Sequence, residues 1–183
     1  MSRSEIRIAG AGGQGVVTAG RILAEAAILC GNEATHSQVY GPQSRGGASR
    51  SDVVIATETI GFPLADDIGL LVVLSVEAYS RYQPELSKHG RLIVDDACAP
   101  PVAAGQSLDT NTSRFAVVEQ SRSISGGQLA SGVVALGVLQ AFSGVVEADA
   151  LREAVAIRVP PRHKAMNLRA LEAGMQLVGG VVV

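Results

Sequence analysis

Residues 6–15 read Ile6-Arg7-Ile8-Ala9-Gly10-Ala11-Gly12-Gly13-Gln14-Gly15. The first four residues place apolar side chains at alternating positions, which predicts a short β-strand. The glycines that follow end the strand and satisfy the pattern G-x-G-x-x-G. A run rich in Ala, Leu and Ile from Val16 to Cys30 then predicts a helix, with Gly31 at the position of a C-terminal cap. A strand, a glycine turn and a helix in this order begin a Rossmann-like α/β fold.

The rest of the chain continues to alternate between strand and helix patterns. Further strands are expected at 33–36, 52–57, 70–74, 92–94 and 115–118, with a hairpin return at 59–62. Further helices are expected at 76–86, 127–142, 147–157 and from 162 to about 178. We therefore expect an α/β fold in a single domain over residues 1–183. Its sheet should be doubly wound and mostly parallel, with helices on both faces and a small hairpin insertion.

Composition excludes several classes of protein. Lys and Arg number 15 and Asp and Glu 17, and this near balance offers no electrostatic footprint for nucleic acid or an anionic membrane. Two cysteines, at 30 and 98, are too few for a disulfide framework or for an iron–sulfur cluster held by this chain alone. The polar first residues lead straight into a strand, and no apolar run approaches the ~20 residues that span a bilayer. We therefore expect a cytoplasmic protein.

The glycine turn at residues 10–15 has two interpretations that the sequence leaves open. Glycines let backbone amides approach an anion at the positive end of a helix. The candidate ligands of an anion or a coenzyme A-type group are Gly10, Gly12, Gly13, Gln14 and Gly15. The alternative is a tight turn whose glycines only allow close packing of helix and sheet. NAD is disfavoured, because a dinucleotide site needs an acidic residue at the end of the second strand and Glu33 stands near its start.

A second glycine-rich stretch, residues 37–50, shows no clear period and predicts a loop. It contains Tyr40-Gly41-Pro42-Gln43-Ser44-Arg45-Gly46-Gly47-Ala48-Ser49-Arg50. Tyr and Arg are enriched where binding energy concentrates in protein interfaces, so we interpret the stretch as a docking element. The alternative is a surface loop with solvated arginines. The candidate docking residues are Tyr40, Gln43, Ser44, Arg45, Gly46, Gly47 and Arg50.

Together these two glycine motifs resemble the gamma subunit, or gamma domain, of the 2-oxoacid:ferredoxin (acceptor) oxidoreductases, a pyruvate/ketoisovalerate oxidoreductase gamma-type domain. The resemblance rests on residues 10–15 with 19–24 and on residues 40–49, with weaker matches at 74–79 and 167–174. The sequence of residues 40–47 is most similar to that of the 2-oxoglutarate branch. One departure lies at residues 131–137, Ser-Gly-Val-Val-Ala-Leu-Gly, where family members often carry Asn before the Leu-Gly pair.

The resemblance implies a non-catalytic subunit of a multisubunit enzyme. Such complexes oxidatively decarboxylate a 2-oxoacid to an acyl-CoA with thiamine diphosphate, magnesium and coenzyme A, and pass electrons through iron–sulfur clusters to ferredoxin. Alpha and beta subunits carry the thiamine chemistry, and a ferredoxin-like delta subunit is a further expected partner. The cofactors therefore belong to the complex, and the isolated chain is expected to hold none and to be inactive. The alternatives are an indolepyruvate oxidoreductase subunit and a free-standing Rossmann-like nucleotide-binding protein.

No catalytic or metal-binding pattern is legible in the sequence. The three histidines lack the i,i+4 spacing of a metal site and no Ser-His-Asp motif occurs, so no catalytic or metal residue is assigned. Cys98 follows Asp95 and Asp96 at the end of an expected buried strand, where α/β sheets place ligand crevices. Two nearby carboxylates should raise the pKa of this thiol, which argues against a reactive cysteine.

Overall fold

A computed structural model describes residues 3–40, 47–98 and 111–179. The strands within these ranges are β1 (Arg3–Ala11), β2 (Glu33–Val39), β3 (Ala48–Ala56), β4 (Ile68–Val73), β5 (Leu86–Asp95) and β6 (Thr112–Phe115). The α-helices are α1 (Val16–Leu29), α2 (Val76–Tyr82), α3 (Val117–Ser125), α4 (Ser131–Ser143), α5 (Ala148–Arg158) and α6 (Pro161–Gly179). A 3₁₀ turn at Gln83–Glu85 follows α2.

The strands form one mixed sheet in the order β2-β3-β1-β4-β5-β6. β1, β4, β5 and β6 pair in parallel, whereas β3 is antiparallel to both of its neighbours, β1 and β2. The expected α/β class is confirmed, with the parallel pairings confined to one half of the sheet. Because β2 runs in the direction of β1, the parallel strands and β2 all end at one edge, marked by Ala11, Val39 and Asp95. We call this the carboxyl edge and the opposite one, marked by Arg3 and Glu33, the amino edge.

Helices cover both faces of the sheet, but unequally. On one face α1, α4, α5 and α6 pack on strand side chains such as Ile8 and Val72, which are fully buried. α4 lies inside this layer and is buried over most of its length, as expected for a helix with almost no polar face. On the other face α2 supplies Ala78 and Tyr82 to a smaller cluster around Leu71.

Several element boundaries differ from the sequence expectations; β3, for example, begins at Ala48 and β5 at Leu86. The hairpin is formed by β2 and β3, whereas residues 59–62 belong to no strand. The strand expected at 115–118 ends at Phe115, and Val117 begins α3 because the Asp95 carboxylate accepts the Val118 amide at 2.7 Å. α2 ends at Tyr82 because Pro84, which has no N–H to donate, follows within the 3₁₀ turn.

Candidate functional site

The glycine turn joins β1 to α1 at the carboxyl edge of the sheet. Gly13 and Gly15 have φ angles of 92° and 75°, a left-handed conformation that glycine adopts without the steric cost of a Cβ atom. Gly15 directly precedes α1, and no side chain caps the first turn of this helix. The turn therefore has the strand–turn–helix geometry that its sequence predicts.

The side chain of Gln14 fills the inside of the turn and is only 3% exposed. Its Oε1 accepts a hydrogen bond from the Ala11 amide at 2.7 Å, and its Nε2 donates to the Leu74 carbonyl at 2.9 Å. Nε2 also lies 3.2 Å from the side-chain oxygen of Gln128. A Cβ atom at Gly10 would lie 2.5 Å from Gln14 Oε1, so this glycine makes room for the carboxamide. Gln14 thereby ties the turn to the segments that follow β4 and precede α4.

The start of α4 covers another side of the turn. The Gly132 amide donates to the Gln14 carbonyl at 2.8 Å, and a Cβ atom at Gly132 would lie 2.5 Å from the Gly15 carbonyl oxygen. Only glycine at position 132 allows this close approach. Gly132 lies in residues 131–137, where the sequence lacks the Asn that is usual in the family it resembles. The adjacent Ser131 is fully buried, and its hydroxyl has no hydrogen-bond partner among the described residues.

These contacts favour the packing interpretation for most of the turn. Gly10, Gln14 and Gly15 are committed to internal contacts, and the Ala11 amide is occupied by Gln14. Gly12 and Gly13 remain exposed at the tip. Anion binding stays a prediction, and the geometry restricts it to the tip of the turn.

Glu33 is not placed to hold a ribose at the glycine turn. It lies at the amino edge, where its Oε2 accepts a hydrogen bond from the Ile60 amide at 3.0 Å. β3 also separates β2 from β1, whereas a dinucleotide-binding fold places its first two strands side by side. The geometry therefore agrees with the sequence argument against NAD.

Both ends of the second glycine-rich stretch are strand rather than loop. Residues 37–39 and 48–50 belong to the paired strands β2 and β3. Four of the candidate docking residues, Gln43, Ser44, Arg45 and Gly46, lie outside the described residues. Of the others, Tyr40 is 62% exposed and Gly47 is buried. Since Ala48 pairs with Ala11, this end of the hairpin lies beside the glycine turn.

Arg50 lies on β3. The expectation that Arg50 stands in a loop is therefore wrong. Its Nη1 donates to Glu85 Oε2 at 3.3 Å, and its Nε lies 3.5 Å from Asp52 Oδ2. The guanidinium group lies 5.6 Å from the centroid of the Tyr82 ring. Arg50 is thus engaged within the chain, and its side chain is 27% exposed.

Beside Arg50 lies a buried ionic network that the sequence analysis missed. Arg7, on β1, is 3% exposed and forms two hydrogen bonds to Asp52 on β3, Nε to Oδ1 at 2.7 Å and Nη2 to Oδ2 at 3.0 Å. Its Nη1 contacts Glu85, and its guanidinium lies 5.4 Å from the Tyr82 ring centroid. Burial alone would lower the pKa of Arg7, but the bonds to Asp52 and Glu85 raise it overall. The sequence signal for this network is that Arg7 and Asp52 each stand in a run that otherwise has the apolar pattern of a strand.

Cys98 is buried near the end of β5 and has no reactive environment. It is 5% exposed, and its Sγ lies 3.2 Å from the Asp95 carbonyl oxygen. Burial, together with the charge of Asp95, raises the pKa of the thiol to about 12. Since the thiolate is the nucleophile, the geometry agrees with the sequence argument against a reactive cysteine. Asp95 itself accepts the amides of Ala97 and Val118 and positions the start of α3.

His36 packs between β3 and α1. Its Nε2 lies 2.6 Å from Ser51 Oγ, and a Cβ atom at Gly20 would lie 2.8 Å from the same nitrogen. Burial and the nearby charge of Arg21 lower the pKa of His36. Within residues 3–40, 47–98 and 111–179, no three His, Cys, Asp or Glu side chains lie together as metal ligands. None of the helices in the described part of the chain is long and apolar enough to cross a membrane.

We expect Gln14→Ala to lower the free energy of unfolding by about 2 kcal/mol, because the substitution leaves the Ala11 amide unpaired and opens a cavity. Urea denaturation followed by circular dichroism measures the change. Gln128→Ala is the control, since Gln128 is exposed and its loss leaves Gln14 bonded to Leu74; a change within about 0.5 kcal/mol is expected there. An unchanged midpoint for Gln14→Ala would mean that backbone contacts alone hold the turn.

Comparison with known proteins finds relatives over nearly the whole chain. The pyruvate ferredoxin/flavodoxin oxidoreductase family profile matches residues 5–177. The 2-oxoglutarate synthase subunit KorC of Methanothermobacter thermautotrophicus is 36% identical over 180 residues, which cover 96% of this chain and 95% of that protein. A more distant relative is the indolepyruvate oxidoreductase subunit IorB of Thermococcus kodakarensis. It is 26% identical, and the alignment covers 96% of this chain and 96% of that protein.

A solved structure shows the same fold over nearly the whole chain. The keto/oxoacid ferredoxin oxidoreductase gamma subunit from Geobacter sulfurreducens superposes with a TM-score of 0.80 at 36% identity, covering 97% of each chain. The resemblance predicted from the two glycine motifs is therefore confirmed. The profile match and the near full-length identity together establish that the chain belongs to the pyruvate ferredoxin/flavodoxin oxidoreductase family.

Proposed function

We propose that this chain is the non-catalytic gamma subunit of a 2-oxoglutarate:ferredoxin oxidoreductase. The complex would oxidatively decarboxylate 2-oxoglutarate in the presence of coenzyme A and deliver the electrons to ferredoxin. The observation that carries the proposal is the 36% identity to a 2-oxoglutarate synthase subunit over 96% of this chain and 95% of that one. The cytoplasm is the compartment that we assign to the complex.

The chemistry is assigned to the other subunits. Thiamine diphosphate, magnesium, the iron–sulfur clusters and coenzyme A would bind in the complex, with alpha and beta subunits and a ferredoxin-like delta subunit as partners. Two features of this chain support that division: its two cysteines cannot supply the four thiolates of a cluster, and the Cys98 thiol is buried and protonated. This chain therefore cannot hold a four-cysteine cluster alone, and Cys98 gives no sign of a redox role.

The carboxyl edge is the surface that we assign to docking on the catalytic subunits. It combines the exposed tip of the glycine turn, Gly12 and Gly13, with the exposed Tyr40 that follows β2. Tyr is a residue type that concentrates binding energy, and exposed glycine amides can donate hydrogen bonds to a partner's carboxylate or to an anionic ligand. The docking residues of the loop proper, Gln43 to Gly46, belong to this proposal on the strength of their sequence.

Indolepyruvate oxidation is the second candidate, because more distant relatives carry that name. We propose 2-oxoglutarate as the substrate for two reasons. The 2-oxoglutarate synthase subunit is 36% identical to this chain, whereas the indolepyruvate oxidoreductase subunit is 26% identical. The sequence of residues 40–47 also resembles the 2-oxoglutarate branch. A nucleotide-binding enzyme is disfavoured by the position of Glu33 and by Gln14 inside the turn.

Co-expression of the chain with alpha, beta and delta subunits of the proposed complex tests the proposal. The purified complex should reduce a viologen dye with 2-oxoglutarate, coenzyme A and thiamine diphosphate, and the chain alone should give no turnover. Indolepyruvate replaces 2-oxoglutarate in a parallel assay. Activity with indolepyruvate only would overturn the substrate, and turnover by the chain alone would overturn the non-catalytic role.

A further inference from the structure

The segment at residues 57–67 joins β3 to β4 at the amino edge and is bound to the sheet through its backbone. The Ile60 amide donates to Glu33 Oε2 at 3.0 Å. The amides of Asp66 and Asp67 both donate to Glu5 Oε2, at 2.6 and 2.8 Å. Burial would raise the pKa of Glu5, but the hydrogen bonds that it accepts, led by that of the Asp67 amide, lower it overall. The charged form of Glu5 thus holds one end of the segment.

The middle of the segment is held in the same way by two other side chains. The Arg3 guanidinium donates to the carbonyls of Phe62 and Leu64, at 3.0 and 3.1 Å. The Thr35 hydroxyl donates to the Pro63 carbonyl at 2.6 Å. Three consecutive carbonyls are therefore fixed by side chains that come from β1 and β2. The segment has no regular secondary structure, yet its backbone is bonded to the sheet along its length.

This arrangement leaves apolar side chains in solvent. Phe62 and Leu64 are each 52% exposed, two residues apart, and their carbonyls share one guanidinium. Single exposed apolar residues are common on protein surfaces. We call this exposed pair, which lies on one bonded segment, the patch. A surface that is already ordered loses less conformational freedom when a partner binds. The patch therefore suits a partner that binds without rearrangement of this chain.

The rim of the patch is acidic. Two cations lie near it. Arg3 is paired with Glu5 at 2.7 Å, and Arg91 lines a cavity with Arg3, Asp66 and Asp67 while its guanidinium lies 4.7 Å from the Phe142 ring centroid. The exposed carboxylates of the segment and of the adjoining start of β2 are Glu33, Glu58, Asp66 and Asp67. A partner with the complementary charge pattern would carry Lys and Arg around an apolar groove. A second copy of this chain would instead bring a second acidic rim against the first.

We propose that Phe62 and Leu64 form a docking surface for another subunit of the oxidoreductase, which presents an apolar groove edged with basic residues. The inference rests on the proposed function, because the partner is a subunit of that complex. The surface lies at the amino edge, across the sheet from Tyr40 and the glycine turn at the carboxyl edge. The chain would then contact its partners from both edges of the sheet.

Binding of the purified chain to the rest of the complex tests the surface. The double variant Phe62→Ser/Leu64→Ser should weaken binding about tenfold or more, because both apolar side chains are removed from the interface. Its melting temperature should stay near that of the wild type, since both side chains are half exposed. Ile157→Ser on α5 is the matched control, because Ile157 is equally exposed, at 53%, and lies on another element. A charge variant, Glu58→Lys/Asp67→Lys, should slow association and reduce its dependence on salt.

The outcomes separate this surface from the proposed function. A wild-type chain that fails to bind the other subunits overturns the proposed function and the surface with it. A double variant that binds as tightly as the wild type and the Ile157→Ser control overturns the surface alone. Size-exclusion chromatography of the isolated chain should give a monomer, and a dimer that the double variant dissolves would overturn the assignment of the occupant.

Discussion

Asp52→Ala should lower the free energy of unfolding by about 3–5 kcal/mol, the largest loss that we expect from a single substitution in this chain. Asp52 is 5% exposed and Arg7 is 3% exposed, so the substitution leaves a buried guanidinium without the carboxylate that accepts Nε and Nη2. Glu85 remains near Nη1, but its side chain is 45% exposed and compensates poorly. Urea denaturation followed by circular dichroism measures the loss without screening the charges.

Two further variants test whether the unpaired charge of Arg7 causes this loss of stability. Asp149→Ala breaks an exposed pair with Arg152, in which the Asp149 side chain is 93% exposed, and should change the free energy of unfolding by less than about 1 kcal/mol. Arg7→Met/Asp52→Leu removes both buried charges together and should recover most of the stability that Asp52→Ala loses. Equal losses in the single and double variants would contradict the assignment, because side-chain volume and not the unpaired charge would then explain the effect.

The parts of the fold that depend on neighbouring residues were predictable. β1, the glycine turn and α1 follow one another within residues 3–29, and the positive φ angles of Gly13 and Gly15 are what such glycines allow. The long apolar pattern of α4 likewise predicted a buried helix, which the structure confirms. Local pattern and turn chemistry are sufficient wherever the contact partners lie within a few residues.

Contacts between distant residues were not predictable in the same way. Arg7 and Asp52 are 45 residues apart and meet only because β3 pairs antiparallel with β1, a register that no local pattern specifies. For the same reason Arg50 was expected in a loop, although the strand register places it beside Glu85. Gln14 was one of several candidate ligand residues, with packing as the open alternative, and the turn folds its side chain inward. The exposed pair Phe62 and Leu64 was missed because a hairpin return was predicted at 59–62, which includes Phe62, and no element was predicted at Leu64.

Gly174→Ala should lower the free energy of unfolding by about 2–3 kcal/mol, although alanine is the better helix former. Helix propensity alone would favour alanine inside α6 by about 1 kcal/mol. The opposing effect is steric, because a Cβ atom at Gly174 would lie 2.0 Å from the Val134 carbonyl oxygen and 3.0 Å from the Gly137 Cα atom of α4. Both are backbone atoms, so no side-chain rotation relieves the clash and the two helices must move apart. Buried neighbours such as Leu171 would then lose contacts.

Thermal melting of three glycine variants decides between these two effects. At about 2–4 °C per kcal/mol for a chain of this size, Gly174→Ala should melt about 4–12 °C below the wild type. Gly137→Ala should show a similar fall, because its Cβ atom would lie 2.1 Å from the Leu171 carbonyl oxygen. Gly179→Ala, at the end of the same helix α6, places its Cβ more than 4 Å from any described atom outside its own stretch of helix and should melt within a degree or two of the wild type. A Gly174→Ala variant that melts at or above the wild-type temperature would mean that helix propensity outweighs the contact, and that α4 and α6 can separate at little cost.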